Sequence, residues 1–453
     1  MMSLQQAARH AQGSLVGVDG AVSRVITDSR LAQPGDLFVA LKGERFDAHD
    51  FVAEVTAKGA AALVRADFQL AGASLIRVDD TRLALGRLAA GWRAGQPAVV
   101  VGVTGSNGKT TVKEMLAAIL SAHAGDQAVL ATAGNFNNDI GLPLTLLRLK
   151  PQHRYAVIEM GMNHHGELSY LAGLARPQVA LVNNAMRAHF GHFGTTEEVA
   201  RAKAEIFEGL VDGGVAVLNA DDANLALFRQ RAGRHRQLSF GLGPDAEVGA
   251  RDLQMDALAS RFILTSSVGE QTVSLPAPGE HNVRNALAAA AVALALEVPQ
   301  AAIATGLAAF AGAKGRLQLK TAPSGLTVLD DSYNANPDSM KAGLDVLSRL
   351  PAPRCFVMGD IGELGDAAPA LHAEVGEHAR ARGIEQLFAL GELSRAAVAA
   401  FGAGAQHFDS IDELLECLDS RLASGTAVLV KGSRFMRMER VVEHLMHANT
   451  EGV

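Results

Sequence analysis

The chain has 453 residues, too many for one ordinary domain and enough for two or three, each with its own core. Hydrophobic residues make up 48% and charged residues 20%, which excludes a disordered chain. A formal net charge of −7 excludes the basic excess of a general nucleic-acid binder. Cys355 and Cys417 are too few for a disulfide framework or a thiolate metal site, which fits a reducing cytoplasm. The opening Met1-Met2-Ser3-Leu4-Gln5-Gln6 carries no apolar leader pattern. The most apolar run, residues 286–296, is far shorter than the ~18–20 residues that span a bilayer. The expectation is a cytoplasmic protein with no membrane insertion and no nucleic-acid partner.

Short apolar runs alternate with longer helical patterns, and no fixed-period repeat interrupts them, so the chain reads as α/β with parallel sheets. Breaks fall at Gly95-Gln96-Pro97 and within 311–315, giving segments 1–97, 98–315 and 316–453. In the first, residues 25–30 and 36–41 read as strands and 51–58 as a helix. The third alternates: strands over 326–329, 355–358, 386–390 and 427–430, with helices over 337–350, 370–382, 411–422 and from about 436. Four strand–helix turns in so short a span suggest a compact nucleotide-binding type of α/β domain.

The strongest local signal opens the middle segment. An apolar run, Val99-Val100-Val101-Gly102-Val103, leads into Thr104-Gly105-Ser106-Asn107-Gly108-Lys109-Thr110-Thr111, and Val112, Met115, Leu116 and Ile119 then keep helical spacing. Glycines let backbone N–H groups wrap around phosphate oxygens, and the helix N-terminus adds partial positive charge. Lys109 is placed to reach the β- and γ-phosphates of ATP, and Thr110 to offer its hydroxyl to Mg²⁺. One departure stands: the usual phosphate-loop spacing asks for glycine at 103, where this chain has Val103.

Three further strand-like runs end in polar residues: Glu159, Asn183-Asn184, and Asn219-Ala220-Asp221-Asp222. Ligands of open parallel sheets sit beyond the carboxyl ends of strands, so these groups converge on the phosphate loop. Glu159 is then either a metal-facing carboxylate or a surface acid at a strand end. Next, Thr195-Thr196-Glu197-Glu198 reads as a capping box. Behind it Val199, Lys203, Ile206, Phe207 and Leu210 share one inward stripe, while Arg201, Glu205 and Glu208 fall elsewhere. A lysine on a core-facing stripe has three explanations, because burial disfavours its charge. It reaches back to solvent, pairs with a carboxylate such as Glu159, or is modified. A neutral amine adds CO₂ to give a carbamate, an oxygen ligand for a hard metal. Of His164, His165, His189 and His192, a single histidine on a magnesium–phosphate site fits better than a zinc set, since no cysteine accompanies them.

These residues, in this order, resemble the Mur ligase family over the whole chain: cytoplasmic ATP-dependent amide ligases that build the peptide stem of the bacterial cell wall. Thr104–Thr111 looks like the family's nucleotide loop, which lacks the first glycine, so Val103 becomes expected. The resemblance implies ATP contacts from Gly105, Ser106, Asn107, Gly108, Lys109, Thr110 and Thr111. It also implies a catalytic and metal set of Lys109, Thr110, Glu159, His189 and Lys203, the last as carbamate, around Mg²⁺. His281-Asn282-Val283-Arg284-Asn285-Ala286 is similar to the adenine-contacting segment, with Asn282 and Asn285. Arg316 matches the linker arginine near the phosphates, and Asp331, in Asp330-Asp331-Ser332-Tyr333-Asn334-Ala335-Asn336-Pro337, the group on the ATP ribose. Asn336-Pro337 also makes a sound N-cap and first helical residue.

The same motif, with Gly359-Asp360-Ile361-Gly362-Glu363-Leu364-Gly365 and Val430-Lys431-Gly432-Ser433-Arg434, is similar to the family member that joins D-alanyl-D-alanine to UDP-N-acetylmuramoyl-tripeptide. The fold this implies has three parts: a small α/β UDP-substrate domain, a central parallel-sheet phosphate-loop ATPase domain and a C-terminal Rossmann-like α/β domain. Ser29, Arg30 and Lys42 would meet the UDP-substrate, and Asn334 and Asn336 the dipeptide, in a monomer. The implied chemistry activates the tripeptide carboxylate as an acyl phosphate, with ADP and then phosphate leaving. Two other readings stay open, a folylpolyglutamate synthase and a phosphate-loop ATPase acting as a binding module. The UDP-type first segment speaks against the former, and the inward Lys203 against the latter.

Overall fold

The computed structural model describes residues 1–187 and 193–447. Its first sheet runs Ser14–Val16, Leu75–Val78, Ala61–Arg65, Asp36–Val39, Arg24–Ile26 in spatial order, parallel except for the first pair. Helix Thr81–Ala94 closes this unit, its Asp80 N-cap accepting from the N–H groups of Arg82 and Leu83. Its buried Leu85, Leu88 and Ala89 then join Leu142, Leu146 and Leu168 of the following segment in one continuous apolar cluster. Trp92 Nε1 donates to the carbonyl of Leu149 (3.0 Å), and buried Arg93 donates from Nε to that of Ala175 (3.1 Å).

The second sheet is six-stranded and wholly parallel, ordered Arg236–Phe240, Val215–Asn219, Val179–Val182, Val99–Thr104, Tyr155–Glu159, Val129–Ala131. Near-continuous valine-rich strands suit a sheet covered on both faces. Alternate residues of Val99–Thr104 divide accordingly, Val100 facing the cluster shared with the first unit and Val101 and Val103 the other. On that second face lie helix Lys109–Ala124 and helix Glu280–Ala295, whose alanines 286 and 288–291 are fully buried. The apolar run at 286–296 is thus a core helix. Among the described residues no helix is long and apolar enough to cross a membrane.

The third sheet is ordered Gln318–Thr321, Thr327–Asp331, Ala427–Lys431, Arg354–Gly359, Gln386–Leu390, Ala405–Phe408, parallel except for its first pair. Asn336 caps helix Pro337–Leu347 in a reciprocal box with Ser339. The chain is α/β throughout, as the alternation predicts.

Some local expectations change. A three-stranded antiparallel sheet, Gly249–Met255, Ser260–Ser266 and Gly269–Leu275, has no counterpart in the sequence reading. Its inward Phe262 and Leu264 are separated by apolar Ile263, which masks the alternation, and Val273 and Leu275 are too few to announce it. Helix Arg395–Phe401 and strand Ala405–Phe408 were likewise not foreseen. The final helix is Glu439–His447, preceded by a 3₁₀ turn, Arg434–Met436. Helix Thr196–Ala204 keeps Thr195 as N-cap, but only one half of the box forms: Glu198 turns instead toward Arg201 and His165. The chain then tightens to 3₁₀ over Glu205–Gly209. Glu205, assigned to the outer side, is buried and accepts the Gly166 N–H at 2.9 Å, where helix Glu167–Ala175 begins.

Buried His372 ties down the loop after strand Arg354–Gly359: Nε2 accepts the Ile361 N–H (2.9 Å) and Nδ1 donates to the Ala368 carbonyl (2.7 Å). Burial pushes its pKa below 6.5, with the Ala368 carbonyl and Asp360 pulling the other way. The unfolded chain therefore takes up this proton first, and the stabilisation, complete above 6.5, is lost as pH falls through the depressed value. H372Q should lose about 2–4 °C less in unfolding midpoint than the parent between pH 7 and pH 5. Equal losses would remove His372 from the acid response.

Candidate active site

Strand Val99–Thr104 delivers residues 105–108 to the start of helix Lys109–Ala124, which no side chain caps. Its first N–H groups are left for an anion. Gly108 has φ +78°, and a Cβ there would meet Asn285 Oδ1 at 2.3 Å and Asn183 Nδ2 at 2.6 Å, so only glycine fits. A net of asparagines shapes the loop from outside. Asn184 Oδ1 accepts the Asn107 N–H (2.8 Å), and Asn183 Nδ2 donates to the Asn107 carbonyl (2.9 Å) and to Asn285 Oδ1 (3.0 Å). Asn282 is joined to Asn285 at 3.3 Å. The strand-end residues Asn183, Asn184 and Asn219 and the motif residues Asn282 and Asn285 therefore meet at one loop.

Lys109 Nζ donates to the carbonyls of Gly105 (2.6 Å) and Ser106 (3.3 Å). Burial brings its pKa down to about 8, Glu159 opposing and Arg316 assisting. Glu159 is 1% exposed, which removes the surface-acid alternative. Its Oε2 accepts from Thr110 Oγ1 (2.9 Å) and its Oε1 from Asn137 Nδ2 (2.8 Å), while its N–H is held by Thr132 Oγ1 (3.0 Å). Arg316 Nη2 reaches Thr110 Oγ1 at 3.4 Å. Thr111 faces the same cavity as Lys109.

Lys203 is also 1% exposed, so it does not reach back to solvent. Among the described residues it has no hydrogen-bond or ion-pair partner, Glu159 included. Burial, and then the charge of Lys109, depress its pKa well below the lysine range. A neutral amine beside the Lys109 cation is the form that adds CO₂ to give a carbamate, so modification is the explanation left of the three. His189 lies outside the described residues.

Beyond the loop, a cavity of about 900 Å³ opens between the second and third sheets. Ser106, Asn107, Lys109, Asn282 and Asn285 line one side; Arg316, Asp331, Asn334, Asn336, Lys431 and Arg434 line the other. Asp331 pairs with buried Lys431 at 2.6 Å and accepts the Leu317 N–H. Asn336 is committed twice, capping through Oδ1 and donating from Nδ2 to Asn107 Oδ1 (2.6 Å). Asn334 is exposed. Ser29, Arg30 and Lys42 do not line this cavity; Arg30 is exposed and paired with Asp28 at 2.6 Å, and the backbones of Lys42 and Asp47 pair in an isolated antiparallel β-bridge.

Several contributors escaped the sequence reading. Buried Lys113 donates to the Thr132 carbonyl (2.7 Å) and so anchors the residue that holds Glu159; it is one helical turn beyond Lys109, the signal that could have found it. Asn137 carried only a cluster of amides as its sign. Arg187 ties the two sides of the cavity together, reaching Asp338 at 2.6 Å and Glu374 at 2.9 Å.

Comparison with known proteins agrees with this arrangement. Residues 21–93 match the model described as Mur ligase family, catalytic domain; 103–293 the Mur ligase middle domain; and 315–434 the Mur ligase, glutamate ligase domain. A UDP-N-acetylmuramoyl-tripeptide--D-alanyl-D-alanine ligase of Escherichia coli is 44% identical, with 99% of each chain covered. Crystal structure I of MurF from Acinetobacter baumannii superimposes with a TM-score of 0.90 at 40% identity, covering 98% of each chain. A MurF ligase from Thermotoga maritima in complex with ADP gives 0.82 at 28%, covering 93% of this chain and 97% of that one. The buried lysine, the carboxylate and the glycine-bounded loop thus sit in a chain that belongs to the Mur ligase family.

Proposed function

We propose that this chain is an ATP-dependent ligase that adds D-alanyl-D-alanine to UDP-N-acetylmuramoyl-tripeptide, releasing ADP and phosphate. It acts in peptidoglycan precursor synthesis, as a monomer in the cytoplasm. The observation that carries the reading is the Lys109–Thr110–Glu159–Lys203 group at an uncapped helix start, with Glu159 and Lys203 buried, in a chain so similar at full length to ligases of that name.

In this reading residues 1–97 hold the UDP-substrate through Ser29, Arg30 and Lys42. Residues 98–315 bind ATP through Gly105–Thr111, Asn282 and Asn285, and 316–453 present the dipeptide. Lys109 exchanges its two carbonyl partners for phosphate oxygens, and Arg316 adds a second cation on the same side. The tripeptide carboxylate attacks the terminal phosphate, ADP leaves, and the dipeptide amine displaces phosphate from the resulting acyl phosphate. Thr110, Glu159, His189 and carbamylated Lys203 would hold Mg²⁺, which supplies charge neutralisation on the phosphates when bound. Asp331, fixed by Lys431, is placed for the ribose. Asn334 offers a free side for the dipeptide, and Asn336 acts through the helix it caps.

Phosphate release should require both the UDP-muramyl tripeptide and D-alanyl-D-alanine. Release with diaminopimelate, lysine or glutamate as acceptor, and not with the dipeptide, would overturn the assignment. K203A should lose about 100-fold or more in turnover and regain part of it with formate or acetate; full activity without additive would remove the carbamate. R187A breaks ion pairs across the cavity, so its radius of gyration in solution should exceed the parent's; equal radii would show that other contacts hold the two sides.

A further inference from the structure

The cavity is lined by six cations, Lys109, Arg187, Arg284, Arg316, Lys431 and Arg434, and their existing partners separate them. Lys109 and Arg316 lie at the phosphate loop. Arg187 is bound by Asp338 and Glu374, and Arg284 by Asp221 (3.1 Å) and Glu280 (2.5 Å). Lys431 is buried against Asp331. Arg434 alone of the six is on the third-sheet side with a solvent-exposed head, its side chain 57% exposed and its one ion pair, at 2.9 Å, made to the half-buried Glu439. Such a pair is worth about 0–1 kcal/mol and yields readily to a better-placed carboxylate.

The surroundings of Arg434 have the shape of a small apolar acid. Its N–H is held by Asn334 Oδ1 (3.3 Å), and Ser433 Oγ accepts the Gly362 N–H (2.8 Å), which draws the loops 359–365 and 431–435 together. Exposed Phe435 and buried Leu364 line the cavity here as an apolar wall. The Phe435 ring packs close to Gly362, where a Cβ would meet it at 2.9 Å. The guanidinium also approaches the Tyr333 ring (5.6 Å), whose other cation is Arg316 (4.1 Å), on the phosphate side. Tyr333 thus stands between Arg434 and the phosphate-loop side.

We infer that Arg434 is the specificity-determining anchor for the terminal carboxylate of the incoming dipeptide, with Phe435, Leu364 and Gly362 receiving its methyl groups. This rests on the ligase reading above. The test uses the full-length enzyme with D-alanyl-D-alanine and its C-terminal amide as acceptors. The parent should prefer the acid strongly. R434Q should raise KM for the acid by about 10–100-fold, the loss of a charge-assisted pair. It should leave KM for ATP within a few-fold and erase most of the preference over the amide, while R434K recovers part of it. An unchanged acid-to-amide preference in R434Q, with a parent-like unfolding midpoint, overturns the inference and leaves the ligase reading intact. A parent that uses neither acceptor overturns the reading itself.

Discussion

Everything at the centre of this molecule answers to an imbalance of charge. Two lysine heads are desolvated here, Lys109 and Lys203, the charge of the first further lowering the pKa of the second, against one buried carboxylate, Glu159. Desolvation alone would drive such groups neutral. The fold instead stations polar support around them: Thr110 and Asn137 on Glu159, Thr132 on its backbone, and Lys113 on Thr132. A pocket organised this far ahead of its ligand needs little reorganisation when a phosphate arrives.

The second dependence is steric. Gly108 is pressed between Asn183 and Asn285, one from a strand end and one from helix Glu280–Ala295. The loop therefore has a single shape fixed from both flanks, and Asn107, at its tip, meets Asn336 across the cavity. Nucleotide loop and third-sheet helix are coupled through one amide pair, with Arg187 reinforcing the contact.

Legibility in the sequence followed how local the determinants are. The glycine-bounded loop, the Asn336-Pro337 cap and the inward Lys203 are written in neighbouring residues and their periodicity, and they could be read directly. Glu159 could be placed at a strand end but not resolved between two roles, since its burial depends on Thr132 and Asn137, elements distant in the chain. Glu205 was misplaced because the helix tightens to 3₁₀ at that residue, and a strict 3.6-residue wheel then points the wrong way. The antiparallel sheet 249–275 stayed hidden because Ile263 on its outer face breaks the alternation and its inner face contributes only a few apolar residues.

The joints between the three sheets differ in kind. Between the first and second, leucines and alanines interlock without a break, with buried Arg93 and Trp92 pinned to carbonyls. Between the second and third, the contacts named are amides and ion pairs around an open cavity. Greasy joints stay shut in water, and wet ones exchange partners. The first two units therefore share one continuous apolar seam, while the C-terminal unit is held across the cavity by polar groups that water can replace.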